Sequence, residues 1–150
     1  MSFERAVLQT KEISAAYKLG LQALRGIDKS HVRVKHPRAI SGSIDLDTAL
    51  SSQYPNSPRW DYAIAWKSLE EERIYWIEIH PGSTGEIPTV MNKLAWLKTW
   101  LSDSGKLLAP FPREFVWVSS GKTALRPTGQ QAKQLAVQGL RWVGRHFAID

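Results

Sequence analysis

The alternation of apolar and polar residues is most regular in the middle of the chain. Two runs, WDYAIAW at 60–66 and RIYWIEIH at 73–80, are rich in aromatic and β-branched residues, and the charged segment KSLEEE separates them. Such runs joined by a short polar link are typical of an antiparallel β-hairpin. Because both faces of this hairpin are apolar, we expect a sheet that is covered by helices on both sides.

Apolar residues at helical spacing predict three helices. They cover residues 3–24, 86–102 and 128–142, and Thr128 is the expected cap of the last one. Pro88 is tolerated in the first turn of the second helix. Gly26 is a plausible end for the first.

Four shorter segments have the period-two pattern of strands or stand between turn residues. They are HVRVK at 31–35, SGSIDLD at 41–47, EFVWVSSG at 114–121 and HFAI at 146–149. The resulting order of elements predicts an α/β fold, a three-layer α/β/α sandwich around a central mixed sheet. A length of 150 residues is ordinary for one domain, so we expect residues 1–150 to fold as a single unit.

Each strand of the predicted hairpin carries one acid. Pairing Trp66 with Arg73 leaves a four-residue loop and places Asp61 directly across from Glu78. Opposed carboxylates on an apolar face are destabilising unless one takes up a proton or a cation lies between them. Carboxylate oxygens suit Mg²⁺ or Mn²⁺. His80 points to the same face, so Asp61, Glu78 and His80 are candidates to converge on one ion and its water.

A purely structural role explains the same three residues. Asp61 could hold backbone N–H groups at the start of a strand. Glu78 could pair with a lysine or arginine from a helix, and His80 could be an ordinary surface residue before Pro81. The pattern alone leaves both interpretations open.

A separate ion site is a weaker alternative. Asp45 and Asp47 alternate onto one face of SGSIDLD and could combine with His31 or His36. Acidic pairs beside a turn are common without any ion.

The amino-acid composition limits the cellular compartment and the binding partners that we expect for this protein. The chain has no cysteine, which excludes disulfides and thiolate metal sites. It shows no bilayer-spanning apolar stretch and no secretory signal. We therefore expect a cytoplasmic protein without a membrane partner.

The net charge of +6 permits an anionic partner, although it could serve solubility alone. The segment HVRVKHPR, with its five basic or histidine side chains (His31, Arg33, Lys35, His36 and Arg38), is a candidate rim for nucleic acid. An exposed strand with one polar face is the alternative. Five of the seven tryptophans lie inside patterned segments and are expected in the core, with a stacking platform for bases as the second choice: Trp66, Trp76, Trp96, Trp100 and Trp117.

The layout of this region resembles the PD-(D/E)XK nuclease superfamily, the restriction-endonuclease-like proteins. RWDYAIAW supplies an acid at the opening of one strand, IEIH stands where the family has D/E-x-K, and a helix and another strand follow. The resemblance covers roughly residues 59–121. It implies a restriction-endonuclease-like core, with Asp61 and Glu78 as ligands of Mg²⁺ or Mn²⁺.

The sequence departs from the family pattern at two positions. His80 occupies the place of the lysine, and Trp60 precedes the first acid where the strict motif has proline. By resemblance, His80 is a catalytic candidate, either as a base or as a ligand. Glu12 would be an additional acid from the first helix, and Lys93 on the helix 86–102 could reach a phosphate or remain solvated.

Two functions follow from these observations. One is metal-dependent hydrolysis of phosphodiesters in nucleic acid, for which a protein of this size would need a homodimer or a protein partner to engage both strands of a duplex. The other is a non-catalytic regulatory protein that binds nucleic acid or protein on the same scaffold, which the missing lysine favours. Fold alone does not decide between them.

Overall fold

A mixed α/β arrangement is present in the computed structural model, which describes residues 1–121 and 129–150. The strands are β1 (Val32–Val34), β2 (Ile40–Asp45), β3 (Tyr62–Lys67), β4 (Glu72–Pro81), β5 (Arg113–Ser120), β6 (Leu140–Val143) and β7 (Phe147–Ile149). The helices are α1 (Phe3–Gln9), α2 (Gly26–Lys29), α3 (Leu46–Leu50), α4 (Ile87–Ser102) and α5 (Gln130–Val137). Short 3-10 turns cover Lys11–Ile13, Pro37–Ala39 and Thr84–Glu86.

Five strands form the central sheet in the order β2-β3-β4-β5-β6. The pairs β2/β3 and β3/β4 are antiparallel, whereas β4/β5 and β5/β6 are parallel. Parallel neighbours need a crossover connection, and α4 and α5 lie in the two connections between them. The mixed central sheet predicted from the sequence is therefore confirmed.

The hairpin of β3 and β4 has the register expected from its loop length. Trp66 pairs with Arg73, Lys67 with Glu72, and Tyr62 with Ile77. Asp61 lies one position before β3, so the same register continues to Glu78. Because side chains alternate between the two faces with period two, this register places both acids on one face of the sheet.

One face of the sheet packs against helices. Ala63 and Trp76 of the sheet are buried with Leu94, Leu97 and other residues of the helices α1, α3, α4 and α5. Fully burying one large apolar side chain stabilises a fold by about 1.5–3 kcal/mol, so this layer holds α4 firmly on β4 and β5. Within residues 1–121 and 129–150, no helix combines the length and apolar composition needed to cross a bilayer.

The opposite face is covered by a second, two-stranded sheet. Strands β1 and β7 pair in parallel, and their residues Val32, Phe147 and Ile149 pack on Ile64 and Ile77 of the central sheet. The helical layer predicted for this face is replaced by these two strands. The local pattern explains the difference, because β1 and β7 each alternate inward and outward residues at period two.

The first predicted helix is much shorter than its periodicity suggested. It ends at Gln9, where the Thr10 N–H donates to the Val7 carbonyl at 3.1 Å and the Thr10 hydroxyl donates to the Ala6 carbonyl at 2.7 Å. Further on, Lys18 forms an isolated antiparallel bridge to Ser43. Tertiary pairing therefore overrides the helical pattern over residues 14–24.

The last predicted helix also differs from the structure. It ends at Val137, and Gly139 has a φ of +87°, a backbone conformation that favours glycine. The chain turns there, so Leu140 and Trp142 enter β6. The predicted cap Thr128 lies outside the described residues.

We expect Gly82→Ala to destabilise the fold, because a Cβ at this position would lie 2.3 Å from the Ser119 Oγ and 2.5 Å from its Cβ. Ser119 is fully buried and accepts a hydrogen bond from the Trp142 Nε1 at 2.9 Å, so it has little room to move. Overpacking of this kind costs about 1–3 kcal/mol in the free energy of unfolding, measured by chemical denaturation.

Gly85→Ala is the matched control for this substitution. A Cβ at Gly85 meets nothing within 4 Å, so the same change should leave stability within about 0.5 kcal/mol of the wild type. Equal destabilisation of both variants would contradict the close packing of Gly82 on β5.

Candidate functional site

Four ionisable side chains from three consecutive segments converge at the helix-covered face of the sheet. Asp61 immediately precedes β3, Glu78 and His80 belong to β4, and Lys93 comes from α4. They meet near the end of β4, beside the point where the chain leaves the sheet for α4. We call Asp61, Glu78, His80 and Lys93 the acidic cluster.

Glu78 is the centre of the cluster and is fully buried, with an exposed side-chain fraction of 0%. Its Oε2 accepts a hydrogen bond from the Lys93 ammonium, and its Oε1 accepts the backbone N–H of Asp61 at 3.2 Å. A buried carboxylate is costly unless it is paired and hydrogen-bonded. Both oxygens of Glu78 meet that requirement.

Asp61 faces the same lysine from the neighbouring chain segment. Its Oδ2 accepts the backbone N–H of Ile79 at 3.0 Å, and its Oδ1 lies 4.0 Å from the Lys93 Nζ. Burial, followed by the negative charge of Glu78, raises the pKa of Asp61 from its ordinary value of 3.8 to about 8, against the opposing effect of Lys93. Asp61 therefore holds a proton at neutral pH when no further cation is present.

His80 lies between two carboxylates. Its Nδ1 is 3.5 Å from the Glu78 Oε2, and its Nε2 is 2.9 Å from the Glu86 Oε2. The hydrogen bond to Glu78 raises the pKa of His80, burial lowers it, and Glu86 raises it further, with a net increase. Both ring nitrogens face carboxylate oxygens, and this arrangement favours the protonated form of His80.

Lys93 reaches the cluster from the buried side of α4. It precedes Leu97 by four residues and Trp100 by seven, which places it on the apolar stripe of that helix. Burial favours the neutral amine, but Glu78 and Asp61 outweigh this effect and raise the pKa of Lys93. The side chain is 19% exposed, so the ammonium remains within reach of solvent.

The structure thus brings together all three site residues predicted from the sequence, and it identifies a positive group beside the two acids. That group is Lys93, the helix-derived partner that the structural interpretation of Glu78 required. Among residues 1–121 and 129–150, no group of three or more histidine and carboxylate side chains has the geometry to hold a metal ion. The two carboxylates and the lysine are therefore the core of the site, and the His80 ring lies beside Glu78.

Glu12 does not belong to the cluster. Its carboxylate accepts hydrogen bonds from the Tyr54 hydroxyl at 2.6 Å and from the Trp100 Nε1 at 3.2 Å. It borders an apolar cavity of about 400 Å³ between the N-terminal segment and α3. Its role as an additional acid of the site is not supported by this placement.

The alternative ion site in SGSIDLD is also explained by ordinary contacts. Asp45 caps α3 by accepting the Thr48 N–H at 3.0 Å and pairs with Arg25 at 3.4 Å. Asp47 pairs with Arg59 at 2.9 Å. Both acids are already matched by hydrogen-bond donors, so they need no ion.

Sequence reasoning gave Lys93 little weight and missed Glu86. A signal for Lys93 was present, because a lysine between apolar positions of a helix must either extend to solvent or find an acid. Glu86 carries no comparable signal, since it stands in the 3-10 turn before α4 and contacts His80 only through the tertiary fold.

Comparison of the chain with protein-family models, with curated proteins and with solved structures finds no match in any of the three. The interpretation of the acidic cluster therefore depends on its own geometry.

Replacing Lys93 by methionine tests the ion pair. Methionine keeps the apolar stem but removes the donor of the fully buried Glu78, so we expect the free energy of unfolding to fall by about 2–4 kcal/mol. Lys98→Met is the control on the same helix, because Lys98 is exposed and only approaches the Phe115 ring, at 5.6 Å. It should cost about 1 kcal/mol or less.

The double variant Glu78→Gln with Lys93→Met separates the pair from its surroundings. Removing both charges leaves no unpaired ion, so the double variant should lose less stability than the sum of the two single losses. Additive losses in chemical denaturation would show that the two side chains do not interact.

The free energy of unfolding should fall as pH rises from about 5 to 8. The pKa of Asp61 is raised in the folded state, so its contribution is present below 3.8 and is lost as pH rises through about 8. The raised pKa of His80 acts in the same direction, above its ordinary value of 6.5. One retained proton contributes a slope of up to about 1.4 kcal/mol per pH unit.

Asp61→Asn removes one of these two contributions and keeps an oxygen for the Ile79 N–H. We expect the variant to gain stability relative to the wild type as pH rises, in denaturation curves recorded from pH 5.5 to 8.5. Parallel pH profiles of the two proteins would mean that Asp61 is ionised across this range.

Proposed function

We propose that the chain is a divergent relative of the PD-(D/E)XK nucleases that hydrolyses phosphodiester bonds in nucleic acid with the help of Mg²⁺ or Mn²⁺. The observation that carries the proposal is the combination of Asp61, Glu78 and Lys93 at one point. Two acids and one lysine are the charges that the D…E-x-K pattern brings together. Here α4 supplies the lysine that is missing two residues after Glu78.

The chemistry of the two acids is compatible with a hard divalent ion. Asp61 and Glu78 present oxygens toward the same ammonium group, so both lie within reach of one small cation. Mg²⁺ is commonly bound by only one or two carboxylates, with water and substrate phosphates as its other ligands. The pKa of Asp61 is raised by burial first and by the negative charge of Glu78 second, and a cation bound between the two acids would favour the ionised form of Asp61.

Each residue of the cluster would have a distinct role. Asp61 and Glu78 would hold the ion, which on binding would polarise a phosphate and activate a water molecule. Lys93, displaced from Glu78 by the ion, would donate to a phosphate oxygen where negative charge develops. His80, held between Glu78 and Glu86, would fix the orientation of Glu78.

The position of the cluster in the fold supports a role in binding. In sheets with parallel strands, ligands bind outside the carboxyl ends of the strands. Glu78 and His80 lie in the last four residues of β4, next to Trp117 and Ser119 of the parallel strand β5. A buried ion pair at such an edge is a candidate functional site, because perturbed ionisable groups concentrate there.

A second function is favoured by a specific observation. Glu78 already has the Lys93 ammonium and the His80 ring as partners, and so it has less need of an ion. A scaffold whose cluster only stabilises the fold would bind nucleic acid or a protein partner without catalysis. The two functions differ in whether the cluster takes up a divalent ion.

Calorimetric titration of the metal-free protein with Mn²⁺ tests the proposal. Asp61 must release its proton to bind the ion, so titrations at pH 7 in buffers of different ionisation enthalpy should show release of about one proton per ion. Glu78→Gln should weaken Mn²⁺ binding by about tenfold or more. Labelled DNA and RNA strands incubated with wild type and Mn²⁺ should be cut, and the variant should leave them intact.

Two further variants sharpen the result. Glu114→Gln removes a carboxylate of β5 that pairs with Arg73 and Arg141 outside the cluster, and it should change neither binding nor cleavage. Lys93→Gln should keep or strengthen Mn²⁺ binding and abolish cleavage, since the lysine competes with the ion for Glu78. Mn²⁺ binding without cleavage in the wild type would favour the second function, and absence of both would leave the cluster a structural ion pair.

A further inference from the structure

The outer face of the small sheet formed by β1 and β7 carries exposed arginine and lysine side chains. Arg33 pairs with Ala148, and both are exposed, whereas Val32, Phe147 and Ile149 point inward and are buried. Because side chains alternate along a strand, the outward row continues to the residues just beyond each strand. That row, which we call the basic face, consists of His31, Arg33 and Lys35 beside His146, Ala148 and Asp150.

The members of the basic face lie close enough to affect one another. The rings of His31 and His146 have centroids 6.1 Å apart, and the His31 Nδ1 donates to the Arg145 carbonyl at 2.6 Å. Loss of hydration, followed by the charges of Arg33, His31 and Arg145, lowers the pKa of His146. The permanent positive charges of this face are those of Arg33 and Lys35.

The cations of this face lack the acidic partners that other arginines have. Arg25, Arg59 and Arg73 form ion pairs with Asp45, Asp47 and Glu71, respectively. In the described part of the chain, Arg33 and Lys35 form no ion pair, and neither does Arg38, which follows β1. The outward row contains one acid, Asp150. Asp28, in the helix α2 that precedes β1, accepts a hydrogen bond from the Tyr62 hydroxyl.

We propose that the basic face is a second nucleic-acid surface, which binds the phosphodiester backbone of a single strand through Arg33 and Lys35. This inference rests on the proposed function, from which it takes nucleic acid as the polymer. Outward side chains two residues apart on a strand are separated by about 7 Å, which is comparable to the separation of successive phosphates. Two histidine rings at the end of the row offer surfaces on which bases can stack.

An anionic membrane is a poorer fit to the same charges. Surfaces that bind membranes combine basic residues with large apolar side chains that enter the lipid. The outward row has Ala148 as its only apolar residue. An exposed strand surface with arginine, lysine and few apolar side chains matches a nucleic-acid backbone better.

The basic face does not line the acidic cluster. Strands β1 and β7 pack on the face of the central sheet that carries Ile64 and Ile77, whereas Glu78 and Lys93 lie on the face covered by α4. The basic face would thus anchor a strand away from the point of cleavage. Its binding needs no divalent ion, so the two sites can be tested separately.

Fluorescence anisotropy of a labelled single-stranded DNA, measured in EDTA, tests this inference. Arg33→Gln with Lys35→Gln should weaken binding by about tenfold and reduce the slope of log K against log salt by about 1.4, or about 0.7 for each phosphate that is no longer neutralised. Lys67→Gln with Lys106→Gln removes the same charge from exposed positions outside the basic face. This control should keep the salt slope of the wild type.

Glu78→Gln distinguishes the two proposals. It should bind the labelled strand like the wild type in EDTA even if it cannot cleave, so loss of catalysis leaves the binding result intact. An unchanged affinity and salt slope in the Arg33 and Lys35 double variant would overturn the inference, whatever the outcome of the cleavage assay. So would binding to vesicles of anionic lipid that depends on these two residues in the absence of binding to DNA.

Discussion

The ion pair between Glu78 and Lys93 is the constraint on which this end of the molecule depends. A carboxylate with no exposed surface needs a compensating charge. Lys93 can supply that charge only when α4 packs on the sheet with one rotation about its own axis. The apolar stripe of α4 would tolerate small rotations, because many side chains contribute similar burial. The polar contacts on its buried side, from Lys93 to Glu78 and from Trp100 to Glu12, remove that freedom, and Asp61 and His80 pack beside Lys93 and Glu78.

The hairpin shows why part of this arrangement could be predicted from the sequence. A period-two pattern and a loop of defined length determine which residues face each other, so the juxtaposition of Asp61 and Glu78 followed from local information. The helix 86–102 followed in the same way, from a long apolar stripe with proline in its first turn. Lys93 could not be assigned with the same certainty, because its partner depends on how a helix docks and no local pattern records that.

The elements that were predicted wrongly were decided by distant contacts. Residues 14–24 have helical spacing, yet Lys18 pairs with Ser43 and the helix stops at Gln9. Residues 140–143 continue the pattern of the last helix, but the parallel edge of β5 is available to them and they complete the sheet. The second layer was expected to be helical because apolar faces are commonly covered by helices, and two short strands cover this one instead.

The pairing of β1 with β7 has a consequence for how the chain reaches this state. The two strands are far apart in the sequence: His31 and Arg145, which flank them, are separated by 114 positions. During synthesis, Val32 and the apolar residues beneath it lack the cover of β7 until that strand has left the ribosome. The helix-covered half can form earlier, so the nascent protein passes through a stage in which the opposite face of the sheet exposes apolar side chains. The rate at which β7 pairs with β1 then decides how long this face is available for aggregation.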